Sequence, residues 1–232
     1  MSIHLEAEQG EIAETVLLPG DPLRAKFFAE KMLTESHCYN RVRGMYGYTG
    51  FYHGKKVSIQ GTGMGMGSSA IYINELIQHH EVKNLIRVGT FGAIKKELDV
   101  GQVVLAMSAS GDSSENVFKF GGMNYAATAD FDLLLKAYQA AQKLKISTLQ
   151  GSIFSTDTFY DNNPSRWDVW EEHGVLGVEM ESQVLFTLAK KFNVKALSIL
   201  TASDNIRTGE ASSSKDREQS YTDMFKIALE LI

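Results

Sequence analysis

Cysteine is nearly missing from this chain: Cys38 stands alone among 232 residues. No intramolecular disulfide can form, and no CxxC metal or redox motif exists. Histidine is sparse and badly spaced for a metal. The six include the adjacent pair His79-His80, but no HxxxH or HExxH spacing occurs, which argues against a zinc site. No run of about 18 apolar residues is available to span a bilayer. Residues 1–14 are acidic and lack an apolar centre, unlike a signal peptide. There is no excess of positive charge either. The formal charge is −5 with the signs interspersed, so no basic stripe favours nucleic acid or an anionic membrane. With three prolines and no Pro-, Ser- or charge-rich linker, the chain reads as one domain over 1–232. The expectation is a soluble cytoplasmic protein that binds neither nucleic acid nor membrane.

What is present is an alternation of short apolar runs and helical patterns. At 44% hydrophobic content the composition is ordinary for a globular protein. A chain this long buries roughly 70% of the surface that its unfolded form exposes, so it needs no staples. Thr15–Leu18, Asn84–Val88, Val103–Ser108, Leu149–Ser155 and Ala196–Ala202 read as strands, and Tyr48–Tyr52 with Lys56–Gln60 as a hairpin around His53-Gly54-Lys55. Asp21 is placed to cap a helix with Pro22 in its first turn. Further helices are expected over Ser68–His80, Asp130–Lys145, Ser165–His173, Glu181–Phe192 and Lys215–Ile232. Such alternation predicts an α/β fold: a three-layer sandwich with a central mixed sheet flanked by helices. Ligands in such sheets gather at strand ends.

The chemistry-bearing segments lie at those ends. Leu17 to Arg24 and Leu85 to Gly92 each read as a buried strand running into a turn, with an arginine and glycine amides beside it. Turn amides and guanidinium forks hold phosphate-sized anions. Arg87 lies inside an apolar run, where a charge needs a partner. Arg43 sits in a loop after a strand. The Gly61–Gly67 stretch has the wrong spacing for GxGxxG, so a loop that lets a ligand lie against backbone fits better than a dinucleotide site. Val178-Glu179-Met180-Glu181 puts two carboxylates at a strand-to-helix junction, where they either cap the helix or accept the hydroxyls of a vicinal diol. Asp204 ends the run Ala196–Ala202 and is either an N-cap or a general acid kept protonated by burial. Phe159-Tyr160 can stack on a flat ring or simply fill core.

Taken in order, Pro19 to Arg24, Asn40 to Met45, Gly63-Met64-Gly65, Ile86 to Gly89, Val178 to Glu181 and Ser203-Asp204 followed by Ile206-Arg207-Thr208 closely resemble the bacterial hexameric purine nucleoside phosphorylases. The resemblance runs from His4 to the last helix. It implies reversible phosphorolysis of purine nucleosides to a free base and ribose 1-phosphate, by a pentosyltransferase with no metal or organic cofactor and inorganic phosphate as co-substrate. It also implies a homohexamer, a trimer of dimers with shared sites. By the resemblance, Gly20, Arg24, Arg87 and Thr90 form the phosphate site, with Arg43 from a neighbouring subunit. Met64, Met180 and Glu181 hold the ribose, with His4 of the neighbour near the 5′-hydroxyl. Phe159, Val178, Glu179 and Asp204 face the base, with Arg217 as partner of Asp204. Thr90 stands where relatives commonly carry Ser, Asn205 where they often carry His, and Phe91 where a small residue is common. The rival readings are a nucleosidase of the same superfamily, a uridine phosphorylase and a nucleoside-binding module without catalysis.

Overall fold

The chain's structure, a computed structural model, describes residues 2–161 and 163–232. Its elements run β1 (Thr15–Leu18), α1 (Pro22–Met32), β2 (Thr34–Asn40), β3 (Gly47–Tyr52), β4 (Lys55–Gln60), α2 (Met66–His80), β5 (Asn84–Ala93), β6 (Val103–Gly111), α3 (Ser114–Lys119), β7 (Ala127–Thr128), α4 (Phe131–Leu144), β8 (Thr148–Ser155), α5 (Asp168–Glu172), β9 (Gly177–Glu179), α6 (Ser182–Lys191), β10 (Lys195–Asn205), α7 (Ser214–Gln219) and α8 (Thr222–Leu229). Short 3₁₀ turns cover Val42–Gly44 and Pro164–Trp167. The Asp21 cap and the hairpin turn are those read from the sequence, and the cap at Asp130 is added by the structure. Asp21 accepts the N–H of Leu23 and Pro22 opens α1. Asp130 caps α4 through Leu133 N–H. His53 and Gly54 turn the hairpin with φ of 48° and 76°, and Lys55 already belongs to β4.

The strands form one mixed sheet in the order β10-β6-β8-β9-β5-β1-β4-β3-β2, with β7 beside β6. A further pairing of β10 with β5 closes β5, β10, β6, β8 and β9 into a ring. Strand alternation divides the core into two faces. Val16, Leu18, Leu85 and Phe91 pack under α2 and α6, whereas Leu17, Ile86, Val88 and Ile199 pack under α1, α4 and α8. Helices thus cover both faces, the three-layer arrangement expected. Phe28 of α1 and Phe225 of α8 stack with ring centroids 3.6 Å apart, both fully buried. Burying each contributes about 1.5–3 kcal/mol, and the contact fixes α8, hence the neighbouring α7, against α1.

Three differences from expectation bear on the site. β5 does not stop at Val88 but continues to Ala93, because β10 pairs with it along its whole length. β10 continues through Asp204 to Asn205, so Asp204 lies inside a strand. The single helix expected over Lys215–Ile232 is two: Tyr221 leaves helical geometry at φ −82° and ψ 66°, and its hydroxyl pairs with that of Ser212.

Candidate active site

The site lies at a gap in the sheet. On the side of β5 away from β10, β1 pairs with residues 84–87 and β9 with residues 92–93. Between them, residues 88–91 have no strand neighbour on that edge among the described residues. β1 ends at Leu18, and the chain turns there through Pro19-Gly20. Gly63 N–H donates to Gly20 O at 2.9 Å and Thr62 N–H to Pro19 O at 3.1 Å, which locks the glycine loop to the same strand end. Gly63 adopts φ +72°, and a Cβ there would meet Ser68 Oγ at 2.5 Å, so the loop needs glycine at this point.

Arg87 enters the gap from the α2–α6 face. Its guanidinium lies over Gly89, where a Cβ would be 2.8 Å from Cζ. Two buried carboxylates hold it. Nε donates to Glu179 Oε2 at 2.9 Å and Nη2 pairs with Glu181 Oε2 at 2.5 Å. Burial works against the charge on Arg87, but the two carboxylates outweigh it and raise its pKa. The two acids divide the roles that the sequence left open. Glu179 also accepts from the Ser155 hydroxyl and from the N–H groups of Glu181 and Ser182, so its carboxylate is filled and caps α6. Glu181 accepts Gly65 N–H at 2.6 Å through its other oxygen. Burial first, then the nearby Glu179, pushes the Glu181 carboxyl up against the pull of Arg87.

Arg24 approaches from the other face, on α1. It is 6% exposed, and its buried Nε has no hydrogen-bond partner among the described residues. Burial pushes its pKa down to about 10, opposed by Asp21 and reinforced by the positive charges of Arg87 and Arg217. A buried guanidinium with a spare donor and two cationic neighbours is chemistry that suits an anion. Strand alternation puts Thr90 on this same face, level with Thr201 of β10, whose buried hydroxyl is also unpartnered.

Asp204 is set by a β-bulge. Phe91 pairs with Ala202 and Gly92 with Asp204, so Ser203 is the extra residue. Bulges re-aim side chains, and here the carboxylate comes to rest over Gly92, where a Cβ would lie 2.8 Å from Asp204 Oδ2. Oδ1 accepts from Ser203 Oγ at 2.7 Å and from Arg217 Nη2 at 3.3 Å. Asp204 is not buried as the sequence reading required: its side chain is 31% exposed. Val178 pairs with Gly92 from the opposite side, so Asp204, Gly92 and Val178 form one row across three strands.

The remaining candidates sit at the rim or elsewhere. Met64 is 78% exposed and Phe159 65% exposed, on the loops after β4 and β8, and Met180 is half-buried before α6. His4 and Arg43 are not brought to this chain's own Asp204. His4 Nδ1 contacts Glu75 Oε1 at 2.6 Å, roughly 15 Å along α2 from Gly65. His4 packs edge-on to Tyr72, which also senses the charge of Arg43. Arg43 is exposed, with φ 57°.

The profile of the phosphorylase superfamily matches residues 14–232. The chain belongs to the phosphorylase superfamily. It is 56% identical over 231 residues to a protein of Caldanaerobacter subterraneus subsp. tengcongensis described as a purine nucleoside phosphorylase DeoD-type, covering 100% of both chains. Proteins of Alkaliphilus metalliredigens and Bacillus subtilis with the same description are 57% and 54% identical, with coverage of 98% or more of each chain.

Within this superfamily chain, sequence reasoning missed the residues that seat the others. Gly92 gives Asp204 its place, and Gly177 makes room for Phe91, since a Cβ there would fall 2.3 Å from the ring. Glycine inside an apolar strand was the available signal, as it marks close approach. Asn205 is explained by its contacts. Its amide donates to Lys95 O and Leu98 O at 2.9 Å, and its oxygen accepts from the N–H groups of Arg207 and Thr208. It braces the turn after Asp204.

Proposed function

We propose that this superfamily member is a purine nucleoside phosphorylase, which converts purine ribo- and 2′-deoxyribonucleosides and inorganic phosphate into the free base and (2-deoxy)ribose 1-phosphate. The observation that carries the reading is the buried Arg24 with its unfilled Nε, beside Arg87 at the gap in the sheet. A hydrolase that uses water needs no such anion site. The descriptions of the relatives point the same way.

In the reaction, a phosphate oxygen attacks C1′ as the C1′–N9 bond breaks, and the bonding pair leaves with the purine. Arg24, Arg87 and the Thr90 hydroxyl hold the phosphate so that nucleophile and electrophile meet without an entropic search. Glu181, fixed by Gly65 N–H and Arg87, accepts a ribose hydroxyl. Asp204 delivers a proton to N7 of the departing base. Arg217, 3.3 Å away, stabilises the carboxylate that this transfer leaves. Pure binding would not call for such a pair, which favours the enzyme over a binding module.

His4 and Arg43 complete a neighbour's site in this reading, within a homohexamer built as a trimer of dimers. His4 packs on Tyr72 and Glu75 of α2 and Arg43 stands exposed on its loop, which supports it. The test is release of base from inosine and adenosine with and without phosphate. Ribose 1-phosphate is the expected product, with negligible turnover in phosphate-free buffer. Equal rates without phosphate would favour the nucleosidase.

A further inference from the structure

A second ion-pair cluster lies outside the arginine–carboxylate site. Arg166, in the Pro164–Trp167 turn, reaches two separate carboxylates. Its Nη1 donates to Asp161 Oδ2 at 2.5 Å and its Nη2 to Asp112 Oδ2. Asp112 follows β6. It also accepts the Thr156 hydroxyl at 2.7 Å and Asp157 N–H at 2.9 Å. Thr156 in turn accepts Thr158 N–H at 3.1 Å, and the Arg166 guanidinium covers the Trp167 ring at 4.8 Å. The side chains of Arg166, Asp112 and Asp161 are 22–27% exposed, so the cluster is partly shielded.

These bonds staple both ends of residues 156–161, yet the tip projects. Phe159 is 65% and Tyr160 89% exposed, packed edge to face at 5.0 Å. The loop also begins at the active site. Thr156 N–H donates to Glu179 O at 2.8 Å, and the Ser155 hydroxyl binds the Glu179 carboxylate. An exposed aromatic on a free loop would lose stacking energy to ordering; on a stapled loop that loss is already met.

We infer that Arg166 is a positioning residue: by bridging Asp112 and Asp161 it fixes the 156–161 loop so that Phe159 presents its ring to the purine. The inference rests on the phosphorylase reading and deepens it. Arg166 touches no reacting atom and acts through Phe159. Arg166→Met is expected to raise the KM for inosine about tenfold, within the range that base–aromatic stacking sets. The KM for phosphate should stay within about twofold and kcat within about threefold. Arg166→Lys should recover part of the loss, since the ammonium keeps the positive charge beside the two acids but cannot fork between them.

The discriminating arm is a double-variant cycle. On a Phe159→Ala background, Arg166→Met should change the inosine KM little further. A fully additive effect would mean that Arg166 works by another route, and an equal rise in both KM values would mean general loosening; either overturns the inference. So does an unchanged inosine KM in both Arg166 variants. Arg166→Lys is read by the same criteria, so poor folding of the Met variant leaves the test standing. A wild-type protein that makes no ribose 1-phosphate sinks the phosphorylase reading itself, which separates the two failures.

Discussion

Replacing Gly92 with alanine tests the proposed acid step by moving Asp204 without touching it. Gly92 does not have a positive φ, so the backbone accepts alanine. The new Cβ would lie 2.8 Å from Asp204 Oδ2 and 3.1 Å from Ile206 Cδ1, against the 3.4 Å at which ordinary contact begins. Asp204 is the end of a short side chain with two torsions, held at Oδ1 by Ser203 and Arg217. The carboxylate yields by rotating, and a shift of about 0.6 Å is needed to restore contact distance. It moves the proton donor away from N7 and strains the 3.3 Å approach of Arg217.

A misplacement of about 1 Å costs on the order of 10²-fold in rate, so a shift of this size is expected to lower kcat on inosine by roughly 10-fold to 10²-fold. That is about 1.4–2.7 kcal/mol in the barrier. Asp204→Asn, which cannot donate a carboxylic proton, sets the floor at a loss of roughly 10²-fold or more. The assay is steady-state phosphorolysis of inosine beside 7-methylguanosine, whose base leaves readily without protonation. The KM for phosphate should hold, and 7-methylguanosine turnover should fall much less. Full kcat on inosine in Gly92→Ala, or equal losses on both nucleosides, would refute the placement of the acid over Gly92.

Two further outcomes follow. Burial acts to raise the Glu75 carboxyl, but hydrogen bonds from Ser2 and His4 outweigh it and hold it at about 2, below the ordinary 4.5. A depressed carboxyl stabilises the fold above its unfolded value and loses that contribution as pH falls through the folded one. Glu75→Gln should therefore unfold earlier than wild type at neutral pH, and the gap in urea midpoints should close between about 4.5 and about 2; a gap constant with pH would show that Glu75 does not tie down the N-terminal arm by its charge. Arg43→Ala and Asp204→Ala, each nearly inactive alone, should regain about a quarter of wild-type sites when refolded together, because random pairing makes half the dimers mixed and one site in each is intact. Mixed oligomers without activity would place Arg43 in its own subunit's site.

How much of this was legible in the sequence depended on range. Local causes were visible. Thr15–Leu18 ended where Pro19 and Gly20 broke it, and the Asp21-Pro22 start of α1 came out as read. What failed was anything set by a partner strand. Gly89-Thr90-Phe91-Gly92 looked like a turn because glycine disfavours strands. It is strand because β10 supplies a full ladder of hydrogen bonds, and its glycines are there to let Arg87 and Asp204 lie flat against it. The break at Tyr221 was invisible for a similar reason. Its apolar stripe continues through Met224, Phe225 and Ala228 as a helix would demand, while its hydroxyl answers to Ser212.

The site was legible as residue types and illegible as geometry. An arginine in an apolar strand announces that a partner exists, but not that two glutamates share the task unequally. Glu179 and Glu181 have the same side chain two positions apart, and the parity of the strand-to-helix junction alone cannot assign them. Distances do: one carboxylate is filled by Arg87, Ser155 and the α6 amides, and the other is left with Arg87 and Gly65. The same logic governs the two arginines of the proposed phosphate site. Arg24 and Arg87 are separated by 63 positions and reach the gap from opposite faces of the sheet. They meet only because β1 is four residues long and β5 is ten. A longer β1 would pair with residues 88–91 and close the gap, so the shortness of one strand, punctuated by Pro19, is what leaves the sheet open where the proposed reaction needs its phosphate.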